Sequence, residues 1–376
     1  MGLFDFFKSK PSPKAVKGNP VNTVSVSPKP QVQIEQQPQE VPSLQSRLQN
    51  CTPSKKGLYP HEILMLAYAH TYKTNGNTFQ AFWTYKYSVL KPQSVLDSLV
   101  NRGFIKVGGV KGCLEKLKVS EIKDLLTKAN QKNTGKKAEL IERVLDSYSN
   151  EVLENMFTVR YYELTNTGKE ELAENEYVQY LHRHDYLSVW EMNFYLHHDN
   201  PSHLDYRDII WREFNKQSME HFKNWDFGLY RNTRLNMYSF LVEETKYKSA
   251  LHHLLEVVAF DLSGLGNGEK DLMQNSFLRD KRVEFKMVNF FFDEEEAVIP
   301  PGIINYMKKL YDVLGMSENE FRQYVYEDLA TIKIHERVFS SEECANILLS
   351  LLGIEERKIK NSKKVAETRL KAMLSV

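Results

Sequence analysis

The chain of 376 residues has room for two or three domains, each able to bury its own core, and its 41% hydrophobic and 26% charged residues are ordinary for a soluble globular protein. No run of about 18 apolar residues occurs, so no membrane-spanning helix is expected, and the N-terminus lacks the long apolar region and cleavage site of a secretory leader. Charge is unevenly spread: residues 1–150 carry 22 Lys+Arg against 11 Asp+Glu, a net of +11, and residues 151–376 carry 28 against 38, a net of −10. That asymmetry predicts an anionic partner for the first half, with DNA, RNA and anionic lipid all compatible.

Residues 1–57 read as a disordered basic tail. The apolar start Met1–Phe7 is too short to anchor alone, and Pro11, Pro13, Pro20, Pro28, Pro30, Pro38 and Pro42 follow among Gln, Ser and Val residues. The start is not a myristoylation signal, because Phe6 stands where Ser or Thr is needed. Cys51, Cys113 and Cys344 are widely spaced, with no CxxC pair, and read as free thiols in a reducing cytosol.

From Tyr59 the pattern changes. His61–Tyr72 reads as a helix with Pro60 in its first turn, Asn75-Gly76-Asn77 as a turn, and Phe79–Tyr87 as aromatic-rich and ambiguous. Gln93–Arg102 reads as an amphipathic helix with Val95, Leu96, Leu99 and Val100 on one face, ended by Gly103. Phe104–Val107 and Val159–Leu164 read as strands, and Thr165 as the N-cap of a further helix. A lone short strand leaves its backbone unpaired, so the two are expected to pair antiparallel.

The order helix, helix, strand, strand, helix resembles a winged helix. Leu99–Ile105 (LVNRGFI) and Tyr162–Leu172 (YELTNTGKEEL) are similar to the stretches flanking the wing in bacterial winged-helix proteins. About fifty residues separate the two strands, where a wing needs only a few. Those residues look inserted at the wing tip, with their ends close together and Gly108, Gly109 and Gly112 as a flexible joint.

Residues 117–145 (LKVSEIKDLLTKANQKNTGKKAELIERVL) resemble the SAP family. Leu117, Val119, Ile122, Leu125 and Leu126 supply the first helix's apolar face, and Leu140, Ile141, Arg143, Val144 and Leu145 match the second helix. Glu121 and Lys123 stand where the family has Glu-Leu-Lys, and Thr134-Gly135-Lys136-Lys137 where it has its Gly-x-Lys turn. Two residues depart from the family's Gly-Leu: Asn130, which tolerates a left-handed conformation, and Gln131, which replaces a packed Leu. The resemblance implies DNA binding through the backbone, often favouring A·T-rich DNA. Independently, the second helix begins at Gly135-Lys136-Lys137, so its amides, dipole and two ammonium groups suit a phosphate. Residues 111–150 hold nine Lys+Arg against six acids. The winged helix would present Lys91, Gln93, Ser94, Asp97, Asn101 and Arg102, with Asp97 opposing tight docking.

Other constellations are weaker. His182, His184, His197, His198 and His203 lie near Asp185, Asp199 and Asp205, but without a spaced metal motif, and packing at helix ends is the plainer reading. Asp293–Glu296 reads as a solvated charge run, and Gly264–Gly268 as a loop without the GK[ST] of a P-loop. Helices are expected at 177–187, 188–195, 205–223, 247–260, 301–314, 318–330, 341–352 and 354–374.

The expected fold is mainly α with a small β wing. A tail (1–57) precedes a winged-helix-like domain (58–110 plus 156–185) split by an inserted SAP helix-loop-helix module (111–155), and an α-helical domain (186–376) follows. The whole resembles SAP-domain-containing proteins of bacteria or phages. The expected role is cytoplasmic, non-catalytic DNA tethering without a cofactor or metal, through Lys123, Thr134, Gly135, Lys136, Lys137, Arg143, Lys91 and Arg102, with the C-terminal half contacting an unknown protein partner. The alternatives are a metal-dependent enzyme acting on nucleic acid through the 182–205 region, and a protein-interaction scaffold that never binds DNA.

Overall fold

The computed structural model describes residues 42–266, 291–334 and 337–374. Most of the expected tail, the start Met1–Phe7 included, lies outside the described residues, as do Asn267 and Gly268 of the expected loop. The described chain is mainly helical, with two small two-stranded sheets, and divides into two compact units at Ile209/Ile210. None of its helices is long and apolar enough to cross a membrane.

In the first unit, residues 42–57 correct the expected tail boundary. Ser43 caps α1 (Leu44–Leu48), accepting from the amide of Ser46 at 3.1 Å. Arg47 Nε donates to Ser88 Oγ at 2.9 Å, and the Ser88 hydroxyl donates to the Pro42 carbonyl at 2.6 Å. The Thr52 amide donates to Asn193 Oδ1 at 2.8 Å, and Asn193 Nδ2 donates back to the Thr52 carbonyl at 2.9 Å. Polar pairing holds this segment, so its low apolar content concealed its order.

The hub of this unit is α2 (Pro60–Tyr68), buried from Pro60 through Leu66. Pro60 occupies the first turn, where its missing N–H costs nothing, and Glu62 accepts from the Tyr59 amide at 3.0 Å. Around α2 pack α4 (Pro92–Asn101), α9 (Asn166–Glu174), α10 (Glu176–His184) and α11 (Val189–His198). The last of these belongs to this core, so the boundary expected at 186 falls near 209 instead. The ambiguous aromatic stretch holds a short helix, α3 (Phe82–Tyr85), with Trp83 and Tyr87 fully buried.

The two strands do pair. β1 (Ile105–Val107) runs antiparallel to β2 (Tyr162–Leu164) in the register Ile105↔Leu164, Lys106↔Glu163, Val107↔Tyr162. Tyr72–Thr74 lies along the other edge of β2: the Tyr162 amide donates to the Tyr72 carbonyl at 3.2 Å, and Thr74 donates to the Arg160 carbonyl at 2.8 Å. Gly103, at φ +76°, ends α4 as expected, with Phe104 N–H donating to the Leu99 carbonyl at 2.9 Å. Thr165 caps α9, accepting from the Gly168 amide at 3.2 Å. A Cβ on Gly168 would stand 2.1 Å from the Phe104 carbonyl oxygen, so only glycine lets the helix approach the strand.

Between the strands lie α5 (Val110–Lys116), α6 (Val119–Lys128), α7 (Lys137–Ser147) and α8 (Asn150–Met156). They enclose a core of their own: Leu114, Ile122, Leu126, Leu140, Ile141, Val144 and Leu153. The expected helix-loop-helix is thus embraced by two further helices. The joint is not slack. Gly108 is buried, its amide donates to the Tyr161 carbonyl at 2.8 Å, and a Cβ there would meet that oxygen at 2.8 Å. Its glycine serves close approach rather than freedom.

In the second unit, α14 (Tyr247–Asp261) is the hub, buried at Ala250, Leu251 and Leu254 through Phe260. It packs on α13 (Phe227–Glu243), α15 (Pro301–Leu314), α16 (Glu318–Thr331) and α17 (Ser341–Leu352). Arg231 of α13 clasps Asp261 of α14 with both ends of its guanidinium, at 2.8 and 2.9 Å. Sequence patterning passed over α13, where buried Thr233 interrupts the apolar rhythm. The charge run Asp293–Glu296 is a hairpin turn joining β3 (Phe291–Asp293) to β4 (Glu296–Val298). The charged helix expected from 354 begins later, as α18 (Ser362–Leu374). Asn346 pins the segment before it, donating to the Glu356 carbonyl at 3.1 Å and accepting from the Lys358 amide at 2.9 Å.

Candidate nucleic-acid interface

The module's candidate edge is built by the turn between α6 and α7. α6 ends with Asn130 at φ +55°; the Gln131 amide donates to the Leu126 carbonyl at 2.8 Å and Asn130 to Thr127 at 3.0 Å. The left-handed conformation expected of Asn130 is present. Gln131 is exposed, so the apolar contact of the family's Leu is missing here. Gly135 then turns the chain at φ +135°, where a Cβ would fall 2.6 Å from Glu139 Oε2.

Glu139 accepts from the Lys136 amide at 3.1 Å and satisfies the N-cap donor of α7. A lysine side chain has no acceptor, so no side-chain cap covers the next amides, those of Lys137 and Ala138. The positive end of the helix dipole therefore coincides with two ammonium groups, tempered by the Glu139 carboxylate. Lys136 is exposed; Lys137 is half-buried and donates to the Glu115 carbonyl at 2.8 Å. α6 repeats the device: Glu121 accepts from the Lys118 amide at 2.6 Å.

The remaining expected site residues divide. Arg143 donates to the carbonyls of Lys132 and Thr134, the latter at 3.2 Å, so it and Thr134 shape the loop before α7. Lys123 is half-buried on α6, and Lys91 is exposed at the start of α4. Arg102 is committed internally, to Glu62 at 2.6 Å and the Gly57 carbonyl at 2.7 Å, with its guanidinium over the Phe104 ring. Two cations that sequence reasoning missed meet at the joint. Lys116 of α5 lies 5.6 Å from the centre of the Tyr161 ring and Lys73 lies 5.7 Å from it. Nothing in linear order links positions 73, 116 and 161.

The histidine-rich stretch is occupied by local contacts. His182 sits between the hydroxyls of Tyr68 (Nε2, 2.9 Å) and Tyr87 (Nδ1, 2.8 Å), and burial pushes its imidazole down to about 4. His198 meets Thr52 at 3.0 Å, His184 stacks on Tyr180, and Asp185 pairs with Lys86 at 2.8 Å. Among the described residues, the group with three potential metal ligands in reach of one another is His252, His253 and Glu256. Sequence reasoning missed it, although H-H-x-x-E on one helix is a local signal.

Residues 113–149 match the model of the SAP domain, and this is the segment just described as α5 (from Cys113), α6 and α7. No curated protein and no solved structure matches the chain. A SAP domain suggests DNA binding in general.

Proposed function

We propose that this protein is a non-catalytic DNA tether that grips the duplex backbone through its SAP domain. The observation that carries the reading is the start of α7, where uncapped amides, the positive helix end and the exposed Lys136 converge on solvent beside a turn held by Gly135. The half-buried Lys137 lies alongside, free to exchange its single bond to the Glu115 carbonyl for a phosphate. Lys123 of α6 is proposed as a further phosphate contact, while Thr134 and Arg143 hold the loop in shape. Arg102 drops out of the contact set, because its guanidinium already serves Glu62 and Gly57.

The host is proposed to be winged-helix-like. Supporting this is the order α2, the Tyr72–Thr74 edge, α3, α4, β1, β2, which is a three-helix unit with a small sheet. The module then occupies the wing tip, and Lys91 is an exposed cation of the host itself. The second unit is proposed to meet a protein partner: residues 210–376 hold 24 Lys+Arg against 26 Asp+Glu and so carry no excess of positive charge for DNA.

The test is the double change Lys136→Glu and Lys137→Glu, read by DNA binding at several salt concentrations. The parent's log affinity should fall with log salt by about 0.9 per phosphate neutralised. The variant should keep its circular dichroism and lose at least tenfold in affinity. Unchanged affinity in the folded variant would remove this edge as the contact site.

A further inference from the structure

The second unit carries a side-chain group that DNA tethering does not use. α14 reads His252-His253-Leu254-Leu255-Glu256. At about 100° per residue, Glu256 falls between the two histidines around the helix, so both imidazoles can reach one carboxylate. His253 Nδ1 lies 2.7 Å and His252 Nε2 lies 3.9 Å from Glu256 Oε2. One nitrogen of each histidine and a carboxylate oxygen all lie within 4.8 Å of one another.

Asp328, brought in by α16, completes the arrangement. Both of its oxygens approach His252 Nδ1, at 2.9 and 3.0 Å. That bond makes Nδ1 the donor, so in the neutral imidazole the Nε2 lone pair lies on the Glu256 side. A carboxylate holding the far nitrogen of an imidazole is how metal-ligating histidines are oriented. The group is also enclosed on all but one side: the His252 side chain is 38% exposed, against 12% for His253, 10% for Glu256 and 14% for Asp328.

We propose that His252, His253 and Glu256 bind a divalent transition-metal ion, with Asp328 as the positioning residue for His252 and one coordination position open to water beside the exposed His252 edge. Two imidazoles and one carboxylate suit zinc and its neighbours rather than calcium or magnesium, which prefer all-oxygen shells. The opposing group is Arg234, whose Nε is 3.3 Å from Glu256 Oε2. Although that nitrogen is buried and close, it makes no well-directed hydrogen bond, so it neutralises the carboxylate without consuming a lone pair. The Arg234 guanidinium rests on the Tyr230 ring, and the Tyr230 hydroxyl donates to the other oxygen, Oε1, at 3.1 Å. Oε2 is thus the oxygen on the histidine side, and an ion bound there replaces the proton that His253 Nδ1 now shares with it, releasing that proton to solvent.

The experiment uses the full chain, stripped with chelator, titrated with Zn²⁺ by calorimetry and with Co²⁺ by visible absorption. One equivalent should bind, and Co²⁺ should show the intensified bands of a four- or five-coordinate site. His252→Ala and His253→Ala should each lose at least tenfold in affinity, and Asp328→Asn about tenfold. Arg234→Met should bind more tightly, because a competing positive charge is gone; a merely structural Arg–Glu pair predicts no such gain. His252 is the most exposed of the ligands, so its variant is the one expected to fold, as checked by circular dichroism. Absence of one-to-one binding by the folded parent overturns the proposal, as does equal binding by folded His252→Ala.

Discussion

The amide of Gly108 donates to the carbonyl of Tyr161 at 2.8 Å, joining residues on either side of an insertion more than fifty residues long. The hydrogen bond continues the ladder of β1 and β2 outward by one pair, so the host hairpin is closed before the inserted module begins.

Closure at this pair predicts that the module can be excised. Replacing residues 109–160 with Asn-Gly would join Gly108 to Tyr161 through a two-residue turn in the existing register. The shortened protein should fold, with its melting temperature within a few degrees of the parent. The host loses the contact of Lys116 with the Tyr161 ring and the hydrogen bond from Thr74 to the Arg160 carbonyl, each worth about 1 kcal/mol. DNA affinity should disappear. The excised segment 109–159 should fold alone on the Ile122, Leu126, Leu140 and Val144 core. Calorimetry of both pieces checks this, and collapse of the shortened host would place its stability in the module.

A second prediction rests on Gly168. A Cβ added there would fall 2.1 Å from the Phe104 oxygen, a backbone atom that cannot swing aside. Gly168→Ala should therefore destabilise the first unit by about 2–4 kcal/mol, seen as an earlier urea midpoint. Gly302→Ala is the control. That glycine lies in the first turn of α15 with nothing within 4 Å of the added Cβ, so the change should be neutral or slightly stabilising.

His61 predicts the acid behaviour of the first unit. It lies in α2 with 6% exposure, burial holds its imidazole down at about 4, and its Nδ1 has no hydrogen-bond partner among the described residues. A depressed base binds its proton later in the folded state than in the unfolded chain. Stability should be full above about pH 6.5 and fall as pH drops towards 4, by about 3 kcal/mol at the low end. His182, also near 4, acts in the same direction. His61→Leu should flatten the profile and raise stability at pH 5. A profile unchanged by this substitution would acquit His61.

The parts legible in the sequence were those whose information is local. The spacing of Ile122, Leu126, Leu140 and Val144 and the turn Gly135-Lys136 lie within one short stretch of chain, and the left-handed Asn130 was legible because it stands where the SAP family has Gly and its side chain tolerates that conformation. The pairing of β1 with β2 was legible because two lone strands leave few alternatives. What escaped depends on partners distant in sequence. The order of residues 42–57 depends on Asn193 capturing Thr52, and the role of Gly108 on Tyr161 passing beside it. The H-H-x-x-E of α14 was local and was passed over; only the orienting Asp328, which arrives from α16, lay beyond reading from that stretch.

Lys116 belongs to the module, Lys73 to the host, and Tyr161 receives both. With the ladder locked at Gly108, the module meets its host through a clamp rather than a leash. Two contacts on one bound partner, one on each side of this clamp, would mark off a set interval along it, as the jaws of a calliper do.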